Sequence, residues 1–240
     1  MKKGIVCYLL LCLSCAPSLL AQTFQNLDFE GANVPVLPIN QTAAVSVTNG
    51  LPGWSAYIGT NQLTTIGENS ITLGNANLGI LAPNYLSPAF GAQFQPLQGL
   101  YSAILQAGGT QNQGAQPASI AQTGLIPAGV KSVQFEATIQ LTFTNVPSDV
   151  AVAVGGVNTP IVPLGGNFYG CDISAFANSE EEISFSMLTN FGNGLMLLDA
   201  ISFSTQAVPE PSALMLLVIG IGGLACWHRT RRCKGVGLQY

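Results

Sequence analysis

From about residue 40 to residue 205 the chain is a succession of short apolar or alternating runs broken by glycine, proline and asparagine. Runs that alternate, or that are rich in β-branched and aromatic residues, predict strands at 43–48, 63–66, 70–73, 101–106, 119–123, 132–143, 150–154, 183–187 and 195–203. Turn signals separate them: Asn49-Gly50, Pro52-Gly53, Pro127-Ala128-Gly129, Gly155-Gly156, Gly165-Gly166 and Gly192-Asn193-Gly194. The longest run has the cleanest period of two. Val133, Phe135, Ala137, Ile139 and Leu141 fall on one face, and Gln134, Glu136, Thr138 and Gln140 on the other. One face is therefore expected in a core and the other in water. The polar, glycine-rich stretch 107–117 reads as a solvated connector, and 173–178 as a single helical turn. Many short strands with Gly/Pro punctuation predict an all-β fold, an antiparallel β-sandwich.

The two ends do not share this pattern. Lys2 and Lys3 precede an apolar stretch from Ile5 to Leu13, and Ala21 is a small residue before Gln22. That order is expected of an export signal removed after residue 21. At the other end Val208-Pro209-Glu210-Pro211-Ser212 leads into an apolar run, 213–227, and then a basic cluster, 228–234. Residues 212–227 number 16 and reach roughly 24 Å as a helix at about 1.5 Å per residue. A stable span takes about 20 residues, so the expected transmembrane helix is short. Gly220, Gly222 and Gly223 weaken it further. Trp227 stands where an interfacial aromatic belongs, and Arg229, Arg231 and Arg232 favour the cytoplasmic side. Pro209 and Pro211 keep the backbone around Glu210 extended. The expected division is a signal peptide over 1–21, a β-sandwich over 22–205 and a sorting tail over 206–240.

Setting the ends aside changes what the composition means. Residues 22–205 hold ten acids and one base, Lys131, a net charge of about −9, with no Arg and no His. Nucleic-acid binding draws much of its affinity from phosphate neutralisation, so this charge excludes it. Neutral polymers and divalent cations remain compatible partners. Cys171 is the only cysteine of the region, which excludes an internal disulfide and a cysteine zinc site. Without a histidine beside it, Cys171 has no usual base to activate it as a nucleophile, and it reads as a small core residue.

The tail resembles the PEP-CTERM sorting signal of Gram-negative bacteria. The resemblance rests on Pro209, Glu210 and Pro211, the apolar segment and the Arg229, Arg231, Arg232 cluster, in that order. It implies export, transit through the inner membrane on the C-terminal helix, processing by an exosortase near the motif, and a place at the cell envelope or in its extracellular polymer. The extension 235–240 departs from such tails, which usually stop sooner. A second resemblance covers the middle. Phe24-Gln25-Asn26-Leu27-Asp28-Phe29-Glu30 with Leu51-Pro52-Gly53-Trp54, then Ala118-Ser119-Ile120-Ala121-Gln122-Thr123, then Leu197-Leu198-Asp199-Ala200-Ile201-Ser202-Phe203, are similar to segments of galactose-binding-like jelly rolls. That likeness implies carbohydrate binding and a structural calcium ion near the pairing of the first and last strands. Glu30 and Asp199 are its expected ligands, with Asp28 a weaker one, since calcium takes hard carboxylate and carbonyl oxygens.

A glycan site needs an exposed aromatic face with polar groups beside it. Trp54 and Tyr57 are the candidates, although Trp54, after Pro52-Gly53 in an apolar stretch, suits a core better than a platform. Enzyme chemistry finds little support. The only histidine, His228, is in the tail, which excludes a Ser-His-Asp triad, and no Lys-bearing phosphate loop is present. Glu180-Glu181-Glu182 is the densest set of acids and reads as a solvated strand edge. The expected function is non-enzymatic: an exported envelope or matrix protein that associates with extracellular polysaccharide. Two alternatives stand beside it, a purely structural surface protein without a ligand and a secreted glycan hydrolase using carboxylates alone.

Overall fold

A computed structural model of the chain describes residues 22–209 apart from 84, 88–91, 111–112, 141–148 and 189–193. The expected signal peptide, Glu210, Pro211, Ser212, the apolar segment 213–227 and the basic cluster with Arg229, Arg231 and Arg232 lie outside the described residues.

The strands are β1 (Ala43–Ser46), β2 (Ser55–Ile58), β3 (Asn61–Leu63), β4 (Thr65–Glu68), β5 (Asn77–Leu81), β6 (Tyr85–Ser87), β7 (Ala92–Phe94), β8 (Ser102–Gln106) and β9 (Gly108–Thr110). They continue as β10 (Gln113–Gln116), β11 (Ala118–Leu125), β12 (Ser132–Gln140), β13 (Val150–Val154), β14 (Val157–Thr159), β15 (Val162–Gly165), β16 (Phe168–Asp172), β17 (Glu180–Met187) and β18 (Leu195–Ser204). One sheet has the order β1-β4-β5-β8-β18-β12-β16-β15, the other β14-β13-β17-β11-β2-β3. From β11 onward the chain passes back and forth between the two sheets. This alternation makes a jelly-roll-type β-sandwich, antiparallel except for the β4–β5 pair.

Alternation along the strands builds the core. Ile120, Ile183, Phe185, Val150 and Val152 from the smaller sheet meet Val133, Phe135, Leu198 and Leu105 from the larger one. Phe135 stands edge-on to Phe185 at 5.2 Å and packs on Tyr169 at 5.9 Å. Cys171 is fully buried among them, as its sequence context predicts. The N-terminal segment has no regular structure, yet Phe24, Leu27, Phe29 and Val34 pack on this core. Its backbone joins the sheets through Leu125 N–H to the Gln22 carbonyl and Ile201 N–H to the Leu27 carbonyl.

Several predicted strands change shape. The run 43–48 ends at Ser46, whose hydroxyl accepts from Asn49 N–H at 3.2 Å and caps a helical turn, Val47–Gly50. Asn49-Gly50 thus closes a helical turn instead of a hairpin. No strand forms at 70–73, because side chains take its backbone groups: Asn77 Nδ2 donates to the Ser70 carbonyl, and Thr72 N–H donates to Gln106 Oε1. The connector 107–117 carries a hairpin, β9–β10. The single turn expected at 173–178 is a 3-10 turn, Ser174–Phe176.

The largest correction concerns the polar face of β12. It is not fully solvated: Gln134 and Thr138 are half-buried. β6, β7 and the loop that follows cover part of the outer side of the larger sheet, where Leu81, Tyr85, Phe94, Ile104, Leu195 and Leu197 form a second apolar cluster. Glu136, on that outer side, is buried.

Candidate functional site

The site begins with an irregularity in β18. Gln134 pairs with Ser202 and Glu136 with Asp199, so Ala200 and Ile201 together oppose Phe135. The bulge shifts the inward parity from Met196 and Leu198 to Ile201 and Phe203. Ala200 takes φ +48° to make it, a left-handed conformation that an alanine adopts only under constraint. Two contacts supply that constraint: Ala200 N–H donates to Asp199 Oδ1 at 2.7 Å, and Ile201 N–H donates to the Leu27 carbonyl at 3.0 Å.

Asp199 is thereby aimed under the loop between β7 and β8. Its Oδ2 accepts from Ser102 Oγ at 2.6 Å and from Gln98 N–H at 3.0 Å. The Gln98 side chain donates to Glu136 Oε2 at 2.9 Å. From the surface, Glu30 Oε1 accepts Leu100 N–H and Tyr101 N–H at 2.8 and 3.0 Å. Asp28 Oδ1 accepts the Glu30 N–H at 3.3 Å. Gly99, at φ +56°, sits so close that a Cβ there would collide with the Glu30 carboxylate. Burial pushes the Asp199 carboxyl above its ordinary value; the bonds from Ser102, Gln98 and Ala200 oppose that, and the Glu30 charge adds to it. The fold therefore brings Glu30, Asp28 and Asp199 to one loop, where the first segment meets the last strand. Glu136 and Ser102 were missed because a polar position on a strand carries no mark of the loop that will cover it, and Gln98 because it lies in that loop, between β7 and β8. Among the described residues no three acidic, histidine or cysteine side chains converge closely enough to hold a metal by themselves.

The two aromatic candidates separate. Trp54 is 5 % exposed. It lies against Phe29 and Phe185 at 5.9 and 6.2 Å, with its indole N–H on the Asn26 carbonyl at 3.0 Å. With its rings packed it offers no platform: the core placement that its apolar context favours is what forms, and Trp54 drops out as a sugar-stacking candidate. Tyr57 is half-buried and belongs to the opposite face of β2 from the buried Ala56. In register, Tyr57 stands beside Gln62 on one side and Ser119 on the other, and Ser119 beside Ser186. The neighbouring row runs Ser55, Ala121, Ser184 and Ala153. Small and hydroxyl side chains thus floor the outer face of the smaller sheet, with one phenol standing on it. Glu180, Glu181 and Glu182 open β17 at the end of this face, Glu182 opposite Thr123.

At the C-terminal exit Ser132 Oγ donates to the Gln206 carbonyl at 2.7 Å. Val208 then lies against Gly170 of β16, where a Cβ would meet its methyl at 2.6 Å. The folded domain is therefore still in contact with the chain one residue before exposed Pro209.

Comparison with known proteins bears on both ends of this picture. Residues 207–232 match the PEP-CTERM protein-sorting motif. The matched stretch includes Val208, Pro209, Glu210, Pro211, Ser212, Arg229, Arg231 and Arg232, and it indicates an exported protein sorted to the cell envelope. No match was found among curated proteins. Among solved structures the chain is similar to TmCBM61 in complex with beta-1,4-galactotriose, at 14% identity and TM-score 0.36, over 77% of this chain and 99% of that one. It is also similar to the enzymatically active domain of the bacteriophage CBA120 tailspike protein 4, at 15% identity and TM-score 0.32, over 63% of this chain and 19% of that one. A third similarity is to the alpha-L-rhamnosidase from Dictyoglumus thermophilum, at 9% identity and TM-score 0.22, over 63% and 24%.

Proposed function

We propose that this chain is a non-enzymatic surface protein whose β-sandwich associates with extracellular polysaccharide through the outer face of the smaller sheet. The observation that carries the reading is the cross-strand row Gln62, Tyr57, Ser119, Ser186. A half-buried phenol offers a ring to a sugar face, and the amide and hydroxyls beside it match sugar hydroxyls. The strong negative charge of the domain favours a neutral or cation-bridged polymer over an acidic one. Against hydrolysis stands the placement of the one cross-strand carboxylate pair among the described residues, Glu136 and Asp199: both are buried beneath the loop that Gln98 anchors.

Delivery completes the reading. An N-terminal signal starts export, residues 213–227 hold the chain transiently in the inner membrane, and an exosortase processes it near Pro209-Glu210-Pro211. A structural calcium ion belongs to the same proposal. Glu30 and Asp199 would hold it, with Asp28 beside them, and carbonyl oxygens or water would supply the other ligands. Part of the Asp199 shift comes from the Glu30 charge, which a divalent cation would neutralise.

Binding of the purified chain to a panel of neutral and acidic polysaccharides, with and without calcium, tests the central claim. Retention on at least one polymer that falls at least tenfold in Tyr57→Ala is the expected result. Equal retention of the two proteins would move binding away from the Tyr57 face, and no retention on any polymer would leave a structural role without a ligand. Mass spectrometry of the protein recovered from cells and medium reports both mature ends and so tests the delivery.

A further inference from the structure

A second site lies beside the first, where β4 of the larger sheet ends. Residues 35–39, the β6–β7 pair and the loop before β8 line a cavity of about 580 Å3, with Pro35, Ile39, Tyr85, Leu86 and Tyr101 in its wall. Its rim is apolar and open to water: Val36 is 99 % exposed, Ile39 67 % and Leu100 56 %. Asn69 and Gln93 are polar members of the lining, and one residue carries an acid. Glu68, the last residue of β4, is wholly buried. It stands in register between Ala43 of β1 and Ile80 of β5, where an apolar side chain would continue the core. Among the described residues neither of its carboxylate oxygens has a hydrogen-bond partner.

An unpartnered buried carboxyl opposes folding, and a leucine or methionine would relieve it. Its two empty oxygens against apolar walls describe the missing group: a compact donor with at least two hydrogens, attached to an apolar body. A hydroxyl supplies one hydrogen and a carboxylate none, whereas an ammonium supplies three and makes the stronger, charge-assisted bonds. The net charge of about −9 over residues 22–205 draws cations and repels anions. We infer that this cavity binds a small organic ammonium ion, its nitrogen on the Glu68 carboxylate and its apolar body against Leu86, Tyr85 and Tyr101. The polysaccharide face takes no part, and the Glu30–Asp199 loop contributes only Leu100 and Tyr101, whose N–H groups bond Glu30.

Titration calorimetry of the full chain in detergent with cyclohexylammonium, cyclohexanol and cyclohexanecarboxylate at neutral pH provides the test. Cyclohexylammonium is expected to bind at least tenfold more tightly than cyclohexanol, with no binding of the carboxylate. Glu68→Gln should abolish the preference for the ammonium while the circular dichroism stays unchanged. Val36→Lys, at a fully exposed position that cannot disturb folding, should weaken the ammonium at least threefold and leave the alcohol unaffected. Equal affinities for the three probes, no binding of any, or an ammonium affinity indifferent to both substitutions would overturn the assignment.

Discussion

Glu136 and Asp199 are direct cross-strand partners on β12 and β18, both buried, and a single residue, Gln98, bonds to each of them. Its backbone N–H meets Asp199 and its side-chain amide meets Glu136, so the loop before β8 is fixed by two acids that would otherwise repel one another. The polar face of a strand has here become the floor of a covered compartment. That arrangement makes the loop sensitive to either carboxyl.

Asp199→Ala removes the acceptor of Ser102, Gln98 and Ala200 together. Loss of a buried acceptor with its donors left unpaired costs about 1–3 kcal/mol, and urea denaturation should show that loss. Ser102→Ala should cost less. A double-mutant cycle between positions 102 and 199 should give a coupling of ~1 kcal/mol, and additive losses would show that the 2.6 Å bond contributes nothing of its own.

The pH dependence has a definite sign. Burial raises the carboxyls of Asp199 and Glu68 above their ordinary values of 3.8 and 4.5. The folded state therefore holds more protons than the unfolded one above those values, and stability falls as pH rises through the raised folded values. Asp172, held low first by its bond from the Ser174 N–H, works in the opposite direction at lower pH. Thermal melts between pH 4 and 8 should show a decline from the acidic side, shallower in Glu68→Gln. A stability that climbs steadily to pH 8 would contradict it.

Calcium should reverse part of that decline. The chain in millimolar calcium at pH 7 is expected to melt several degrees higher than in chelator. Asp199→Ala and Glu30→Ala should each lose the shift. An unchanged melting temperature in the unsubstituted protein removes the ion from the account.

The two aromatics should fail in opposite ways. Trp54→Ala opens a cavity between Phe29 and Phe185 and should cost ~3–5 kcal/mol of stability. Tyr57→Ala, on the outer face, should change stability by under about 1 kcal/mol while weakening retention on polysaccharide. Denaturation curves and binding measured on the same preparations separate the two roles.

Burial pushes the Cys171 thiol up to about 11, against a weaker opposing bond from Thr159. It should therefore resist iodoacetamide at pH 8 in the native protein and react only after unfolding. Rapid alkylation of Cys171 itself in the native chain, located by peptide mass among the six cysteines, would place the thiol at the surface.

Strand 150–154 coincides with β13, and 119–123, 183–187 and 195–203 lie inside β11, β17 and β18. Each carries a period of two or a continuous apolar run between strong turn residues, and that is a local property. Positions 70–73 and 47–50 carried β-branched residues too, but side-chain bonds from Asn77, Gln106 and Ser46 claimed their backbone. Such competition depends on partners up to 34 residues away, beyond the reach of any window. β6 and β7 were invisible because runs of three residues, Tyr85–Ser87 and Ala92–Phe94, are too short to show a period, and β5 because Asn77 and Gly79 interrupt its apolar run.

The sequence by itself determined the sandwich class, the acidic and single-cysteine character of the domain and the sorting motif, because composition, alternation and the order of a short motif are carried locally. It also picked out Glu30 and Asp199. Only the tertiary structure decided that Ala200 and Ile201 bulge against Phe135, that a loop covers Glu136 and Asp199, that Trp54 is inside while Tyr57 is outside, and that Glu68 lines a cavity without a partner. Burial is a property of what folds over a residue, and the covering segments lie tens of residues from what they cover.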